Sequence, residues 1–143
     1  MISWVERPPV RSWERKPGEL AFERWDAPDQ LVDMEDWENE MLAWQGGLCA
    51  ACGCDLTNGQ KRLDHDHETG KVRGYLCNGC NQAEGFGGSL GPSRDMWDRW
   101  RAGANPAAVL GIDEQYVTPF GWARKQVRDP WVAAQLGLSP YGP

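Results

Sequence analysis

The residues best suited to chemistry include two pairs of cysteines with the same spacing. The pairs are Cys49-Ala-Ala-Cys52 and Cys77-Asn-Gly-Cys80. A two-residue spacer lets both thiolates of a pair face one tetrahedral ion from a tight turn, and two such turns complete a closed shell of four sulfurs. We therefore predict a structural zinc site, with buried thiols or a redox cysteine pair as the alternatives. Cys54 fits neither pair and is expected to be a bystander.

Both histidines of the chain lie between these cysteine pairs, in the run Asp64-His65-Asp66-His67. A neutral imidazole is the usual general base near pH 7, and carboxylate and amide oxygens are hard ligands that suit Mg²⁺. Asp64 can supply the carboxylate and Asn81 the amide, which leaves coordination positions open for water and phosphate oxygens. These residue types indicate metal-assisted phosphodiester hydrolysis. A second zinc site and a hairpin with charged edges are the alternatives.

Two short strands and a helix must position these groups. Thr69-Gly70 is a turn signal, so the residues on either side are expected to pair as antiparallel strands. The residues from Asn81 to Glu84 predict a short helix that ends at the glycines after it, and the two end residues share a face. In an ideal strand Asp64 and His65 point to opposite faces. They can share one phosphate only where the strand ends or bends.

The N-terminal third predicts an arm followed by a helix. Residues 1–30 contain four prolines and are interpreted as an extended or loosely structured arm. Over residues 31–44, apolar side chains then recur at helical spacing, and Asp29 or Asp33 can cap the helix. Two glycines after Gln45 would end it. The apolar stripe is Met34, Trp37, Met41 and Trp44.

The C-terminal part predicts further short helices. One is expected to begin with Ser93 as its cap and to carry Trp97 and Trp100, a second to run from Pro106 to Leu110, and a third to begin at Pro130. We therefore predict a small α+β protein in three parts. These are an arm over residues 1–30, a zinc-bound core with its preceding helix over 31–91, and a helical extension over 92–143.

Composition narrows the classes of protein that this chain can be. Of 143 residues, 41% are hydrophobic and 25% charged, which is ordinary for a globular protein. The longest apolar runs are too short to cross a bilayer, and the charged N-terminus is not expected to be a signal peptide. Cysteines that serve as metal ligands and not as disulfides are typical of the cytoplasm, so we expect the protein there. The net charge of −6 argues mildly against a nucleic-acid partner, but almost all of it lies in residues 1–47.

The nine tryptophans all lie outside residues 48–91. Large aromatic side chains dominate cores and interfaces, so packing is the expected role of most of them. Those at helical spacing are expected to cover the zinc core or a partner chain. Trp4 and Trp13, in the proline-rich arm, are the better candidates for stacking on unpaired bases.

The run from Leu63 to Gly85, together with Gln45 to Cys52, resembles the phage recombination endonuclease VII family. The shared motifs are the two cysteine pairs, DHDHETGKVRG and CN-x-CN-x-x-EG, in this order. The resemblance covers roughly residues 40–91. It implies the zinc-stabilised ββα-metal fold of HNH, or His-Me finger, nucleases. It also implies a homodimer that cuts branched DNA, including Holliday junctions, and leaves a 5′-phosphate.

Residue by residue, the resemblance implies specific roles. Zinc would be held by Cys49, Cys52, Cys77 and Cys80, and Mg²⁺ by Asp64 and Asn81. His65 would be the general base, His67 would hold the scissile phosphate, and Glu84 would support the metal region. Some relatives have histidine where Arg62 stands; arginine can bind phosphate but cannot act as an acid near neutral pH. Lys61, Arg62, Lys71 and Arg73 flank the hairpin, either as phosphate contacts or as solvated charges.

These expectations define one predicted function and two alternatives. We predict an Mg²⁺-dependent endonuclease, with Mn²⁺ as the alternative cation, that resolves branched DNA in the cytoplasm of a phage-infected bacterium. Its dimer interface is expected on the helix over residues 31–44. One alternative is an HNH enzyme that nicks or cuts ordinary duplex DNA during phage genome processing. The other is a non-catalytic zinc module that binds DNA or protein.

Overall fold

The computed structural model describes residues 4–14, 16–28, 32–85 and 92–116. Within these ranges the chain forms a two-stranded sheet and short helices, which confirms the predicted α+β class. None of the described helices is long and apolar enough to cross a membrane. The strands are β1 (Arg62–His65) and β2 (Val72–Leu76); the α-helices are α1 (Trp37–Trp44), α2 (Asn78–Gly85), α3 (Pro92–Arg101) and α4 (Pro106–Leu110). Three 3₁₀-helices span Ser12–Glu14, Ala21–Arg24 and Met34–Asp36.

The hairpin of β1 and β2 contains a bulge at the residues of chemical interest. The strands are antiparallel, with Asp64 opposite Gly74 and His65 opposite Val72. Arg73 is therefore an extra residue on β2, and the register shifts between Asp64 and His65. A bulge bends a strand and redirects its side chains. It supplies the bend that an ideal strand lacks, and both Asp64 and His65 line one cleft.

The turn between the strands is closed by a carboxylate and a glycine. The side chain of Asp66 accepts hydrogen bonds from the backbone N–H of Glu68 at 2.7 Å and of Thr69 at 2.9 Å. Gly70 has a φ of +76°, and its N–H donates to the Asp66 carbonyl at 2.7 Å. Glycine adopts this left-handed conformation without steric cost. The predicted turn at Thr69-Gly70 is thus formed.

One hydrophobic core lies behind the hairpin. Strand β2 is buried along its whole length, and Trp97 and Trp100 of α3 are 1% and 0% exposed. Helix α4 contacts β2 so closely that a Cβ added to Gly74 would lie 2.8 Å from Cδ of Pro106. Glycine at this position therefore allows α4 and Trp100 to pack on the back of the hairpin.

The N-terminal segment, which was predicted to be an extended or loosely structured arm over residues 1–30, is partly packed on the core. The backbone N–H groups of Ala21 and Phe22 donate to the carbonyls of Ala51 and Ala50, both at 2.9 Å. Leu20 is fully buried beside them. The described part of this segment contains 3₁₀-helices but neither an α-helix nor a strand. Its Leu20–Phe22 portion thus braces the first cysteine pair, while Trp4 and Trp13 are exposed.

Three of the predicted helices begin at different residues from those expected. The helix expected from Asn81 begins at Asn78 as α2 and therefore includes Cys80. The helix predicted over residues 31–44 is α-helical only from Trp37, after a 3₁₀ turn that Asp33 caps by accepting from the N–H of Glu35. Met41 and Trp44 are buried in the chain's own core. Helix α3 begins at Pro92, so Ser93 lies inside its first turn. The helix predicted from Pro130 lies outside the described residues.

Candidate active site and metal centre

The four predicted cysteine ligands come together beside the start of α2. Their sulfurs all lie within 4.8 Å of one another, and the Sγ atoms of Cys52 and Cys77 are 3.8 Å apart. A tetrahedral zinc with Zn–S bonds of about 2.3 Å requires S···S separations of about 3.8 Å. The backbone N–H of Cys52 points to the Cys49 sulfur at 3.5 Å, and that of Cys80 to the Cys77 sulfur at 3.4 Å. The cluster could therefore hold a metal such as zinc.

The thiols of this cluster affect one another strongly. Hydrogen bonds with Cys49, Cys52 and Cys80 lower the pKa of Cys77. Hydrogen bonds with Cys49, Cys52 and Cys77 raise the pKa of Cys80. Four crowded sulfurs that compete for protons are well suited to a cation that replaces those protons. Cys54 lies outside this group of four; its carbonyl accepts from the N–H of Cys49 at 2.8 Å.

A cleft of about 460 Å³ is lined by residues of the hairpin and of α2. It brings together four of the five predicted catalytic residues, namely Asp64, His65, His67 and Asn81. The hairpin supplies the first three, and α2 supplies the amide. The remaining lining residues are Glu38, Lys61, Arg62, Leu63, Tyr75 and Tyr116. The cleft thus combines two carboxylates, an amide, two imidazoles and two cationic side chains on one surface.

The imidazole of His65 lies within a group of aromatic rings. Its ring centroid is 4.3 Å from that of Tyr116, with only 3° between the planes. The ring of His67 is 5.1 Å away and inclined by 20°. The Nδ1 of His65 lies 3.5 Å from the Leu63 carbonyl. Because a carbonyl only accepts, this contact favours a proton on Nδ1 and a lone pair on Nε2.

The carboxylate of Asp64 is buried at the base of the cleft, only 2% exposed. Its Oδ2 accepts a hydrogen bond from the indole N–H of Trp100 at 2.7 Å. The same oxygen lies 2.8 Å from Nε of Arg73, in an ion pair whose N–H is not aligned as a hydrogen bond. Burial raises the pKa of Asp64 to about 6, although Arg73 and Trp100 both oppose this rise. The position of the carboxylate is therefore set by two neighbours on one oxygen.

Arg73 is an internal residue, and therefore neither of the two surface roles that the sequence left open, a phosphate contact or a solvated charge. Its guanidinium is 7% exposed and also pairs with Glu84 at 3.0 Å, while Nη2 donates to the His65 carbonyl at 2.8 Å. Because Arg73 is the extra residue of the bulge, its side chain turns inward toward these acceptors. It ties Asp64, His65 and Glu84 into one network.

Glu84 is likewise held inside the protein. Besides Arg73, it contacts Arg101 of α3, whose Nε lies 3.0 Å from the carboxylate and whose Nη2 donates to the Glu84 carbonyl at 2.5 Å. This second bond satisfies a carbonyl in the last turn of α2. Glu84 therefore joins α2, β2 and α3, and in this arrangement it faces arginines rather than the cleft.

The other predicted phosphate contacts differ in position. Lys61 and Arg62 are exposed and line the cleft, and the Lys61 ammonium lies 5.3 Å from the ring centroid of Tyr75. Lys71 is at the tip of the hairpin, where it forms an exposed ion pair with Asp113. Only the first two are thus placed to meet a backbone phosphate in the cleft.

Two site residues were missed by sequence reasoning, namely Trp100 and Tyr116. Trp100 was expected to be buried, and a buried indole N–H usually has a hydrogen-bond partner, but nothing in the sequence indicated Asp64 as that partner. Tyr116 lies more than thirty residues beyond the motif. No spacing rule connects either residue with Asp64 or His65.

Comparison with known proteins identifies a family and similar phage proteins. A model of the recombination endonuclease VII family matches residues 24–102, more than half of the chain. The Gene 59 protein of Mycobacterium phage L5 is 38% identical over 88 residues, covering 57% of this chain and 48% of that protein. The Gene 59 protein of Mycobacterium phage D29 is 48% identical over 63 residues, covering 32% and 37%. The matched regions thus span less than half of either relative. No solved structure gives a significant match.

Proposed function

Because the chain belongs to the recombination endonuclease VII family, we propose that it is an Mg²⁺-dependent endonuclease that cleaves branched DNA, four-way junctions above all. The family resemblance indicated by the sequence motifs is confirmed, and it implies a nuclease. The proposal goes further in naming the metal, the base and the DNA structure. It rests on one observation: Asp64, His65, His67 and Asn81 line the same cleft.

The donors in this cleft fit a divalent cation with oxygen ligands. A carboxylate from β1 and an amide from α2 are the hard ligands that Mg²⁺ uses together with water and phosphate oxygens. Trp100 and Arg73 both approach Oδ2 of Asp64, so we assign Oδ1 to the metal. When bound, Mg²⁺ would polarise the scissile phosphate and stabilise the leaving oxygen.

The protein side chains then perform the proton transfer and hold the substrate. His65, with its lone pair on Nε2, accepts a proton from the attacking water. His67 and the exposed Lys61 and Arg62 hold the phosphate backbone, and this contact makes binding dependent on salt. Arg73 keeps the His65 backbone in place from behind through its carbonyl. The base and the metal ligand thus belong to one rigid bulge.

The four-cysteine cluster is proposed to hold zinc in a structural role. A shell of four thiolates leaves no coordination position open for substrate, so this ion stabilises the fold rather than the transition state. It fixes the segment before β1 to the start of α2, and therefore sets the distance between the hairpin and Asn81. A redox cysteine pair, one of the alternatives to zinc, is less favoured, because all four sulfurs lie within 4.8 Å of one another.

We propose a homodimer acting in the cytoplasm of a phage-infected bacterium. A four-way junction presents two strands for cleavage, and a two-fold pair of sites matches that symmetry. The expected interface on residues 31–44 cannot use Met41 or Trp44, because both are buried in the chain itself. The exposed residues of that segment, including Met34, are the part that a second copy could contact.

Substitutions on neighbouring residues test the proposed roles. We expect His65→Ala and Asn81→Ala each to reduce Mg²⁺-dependent cleavage of a labelled four-way junction by at least a hundredfold, since each removes a catalytic function. Gln82→Ala is the control, because Gln82 is an exposed amide next to Asn81. Zinc content and junction binding should be unchanged in all three. If His65→Ala cleaved normally, or lost zinc and binding together, the assignment of the base would be wrong.

A non-catalytic zinc module and a nuclease for ordinary duplex DNA are the competing functions. The cleft favours an enzyme, because a purely binding module needs neither the buried carboxylate nor the stacked imidazole beside it. Duplex cleavage would use the same residues. It is distinguished by substrate alone, through the rate ratio between junction and linear DNA of matched sequence.

A further inference from the structure

The aromatic ring of Tyr116 lies parallel to the imidazole of His65. The centroids are 4.3 Å apart and the planes differ by 3°, which is a stacked arrangement. Both rings line the cleft. Tyr116 lies after α4 and beyond residues 24–102, the range that the endonuclease VII family model matches. A residue from outside the matched region therefore contacts the proposed general base directly.

The segment that carries Tyr116 is held against the tip of the hairpin by backbone hydrogen bonds. The N–H of Tyr116 donates to the Gly70 carbonyl at 2.7 Å, and the N–H of Val72 donates to the Glu114 carbonyl at 2.9 Å. An antiparallel bridge joins Gln115 to Lys71 between these two bonds. The segment thus extends the sheet beyond β2 at the turn end of the hairpin.

Two exposed side-chain contacts accompany these backbone bonds. The Gln115 amide donates to the Thr69 carbonyl at 3.1 Å, and Lys71 pairs with Asp113. Such a strand-like attachment fixes the direction of the side chains it carries. The ring of Tyr116 is therefore delivered to His65 by the backbone and does not depend on a mobile loop.

We propose that Tyr116 is a positioning residue for His65: its ring limits rotation of the imidazole and keeps Nε2 directed into the cleft. This inference rests on the proposed function, in which His65 is the base. Arg73 holds the backbone carbonyl of His65, and the Nδ1 edge of the imidazole lies 3.5 Å from the Leu63 carbonyl. The ring of Tyr116 adds a contact across the face of the imidazole, which resists rotation about the side-chain bonds without taking the lone pair of Nε2.

The test compares three variants of the zinc-loaded full-length chain. Tyr116→Leu removes the ring and keeps apolar bulk, Tyr116→Phe keeps the ring, and Gln115→Ala removes a hydrogen bond from the same segment. We expect Tyr116→Leu to lower kcat for junction cleavage about three- to tenfold with KM unchanged, in line with the usual strength of an aromatic pair. Tyr116→Phe and Gln115→Ala should remain within about twofold of wild type on the same scale.

A nuclear magnetic resonance measurement tests the contact independently of activity. The chain has two histidines, so its spectrum contains two imidazole Cε1–H resonances, which His65→Ala assigns. Loss of the Tyr116 ring current should move the His65 resonance downfield in Tyr116→Leu but not in Gln115→Ala. An unmoved resonance, an unchanged kcat, or an equal loss of activity in Tyr116→Phe would each overturn the inference.

The same experiment separates this inference from the proposed function. If His65→Ala retained full cleavage, His65 would not be the base, and both claims would fail. If His65→Ala abolished cleavage while Tyr116→Leu behaved as wild type, the base would stand and only the role of Tyr116 would fail. Equal melting temperatures of Tyr116→Leu and wild type show that the loss of kcat does not come from unfolding.

Discussion

Replacing Arg73 by methionine tests the buried network beneath the cleft. The guanidinium is 7% exposed, pairs with Asp64 at 2.8 Å and Glu84 at 3.0 Å, and donates to the His65 carbonyl. Methionine keeps an unbranched apolar stem and has no charge. The change would therefore leave two carboxylates in the protein interior without their shared cation.

The size of the effect follows from what remains around each carboxylate. Removing one partner of a buried ion pair typically costs about 3–5 kcal/mol, because the other charge stays buried without compensation. Asp64 would keep the Trp100 hydrogen bond, and Glu84 would keep Arg101. These remaining partners place the expected loss near the lower limit, at about 3 kcal/mol in the free energy of unfolding.

Urea unfolding of the zinc-loaded protein measures this loss. Arg62→Met is the matched control, since Arg62 is on the partner strand but exposed, and donates to the carbonyl of its neighbour Lys61. We expect the control to change the free energy of unfolding by less than about 0.5 kcal/mol. It should instead remove one phosphate contact, which lowers the slope of the logarithm of the DNA-binding constant against the logarithm of salt concentration by about one. A loss below about 1 kcal/mol in Arg73→Met, with weakened DNA binding, would refute the internal role.

Three further predictions follow from other contacts. Trp100→Phe removes the N–H donor to Asp64, so we expect a titration to show that half-maximal cleavage requires a higher Mg²⁺ concentration. An unchanged midpoint would contradict the positioning of Asp64 by Trp100. Gly74→Ala brings a Cβ to 2.8 Å from Pro106 and should lower the free energy of unfolding, measured by thermal unfolding, by about 1–3 kcal/mol. An unchanged melting temperature would mean that α4 moves freely. Removing zinc should unfold the protein by circular dichroism, while omitting Mg²⁺ should stop cleavage only; a folded zinc-free protein would contradict the structural role of zinc.

The local parts of the site could be predicted from the sequence. Two cysteine pairs, a turn at Thr69-Gly70 and a short helix after Cys80 are each encoded within a few residues. Their order therefore indicated a hairpin and a helix held together by a metal. The cleft brings Asp64, His65 and Asn81 together as this order implies.

The bulge could not be predicted in the same way. An alternating strand pattern would place Arg73 on a face of the hairpin according to simple two-residue periodicity. One extra residue on β2 changes that register, and only the paired strands reveal it. The sequence therefore identified Arg73 as a basic residue near the site, a phosphate contact or a solvated charge, but not as the partner of Asp64 and Glu84.

Contacts from distant segments were also beyond sequence reasoning. Leu20 and Phe22 are buried against the cysteine region although prolines surround them in the sequence. Trp100 and Tyr116 reach the site from α3 and from the segment after α4. These contacts depend on how elements pack across the core, which neither periodicity nor spacing encodes.

Cleavage of a labelled four-way junction, compared with a linear duplex of matched sequence, tests the central claim most directly. The protein should have verified zinc content, and the reactions should be run with and without Mg²⁺ beside His65→Ala. We predict Mg²⁺-dependent cleavage that strongly prefers the junction and is lost in the variant. Equal cleavage of both substrates would contradict junction specificity, and binding of the junction without cleavage would contradict the assignment of the cleft as a nuclease site.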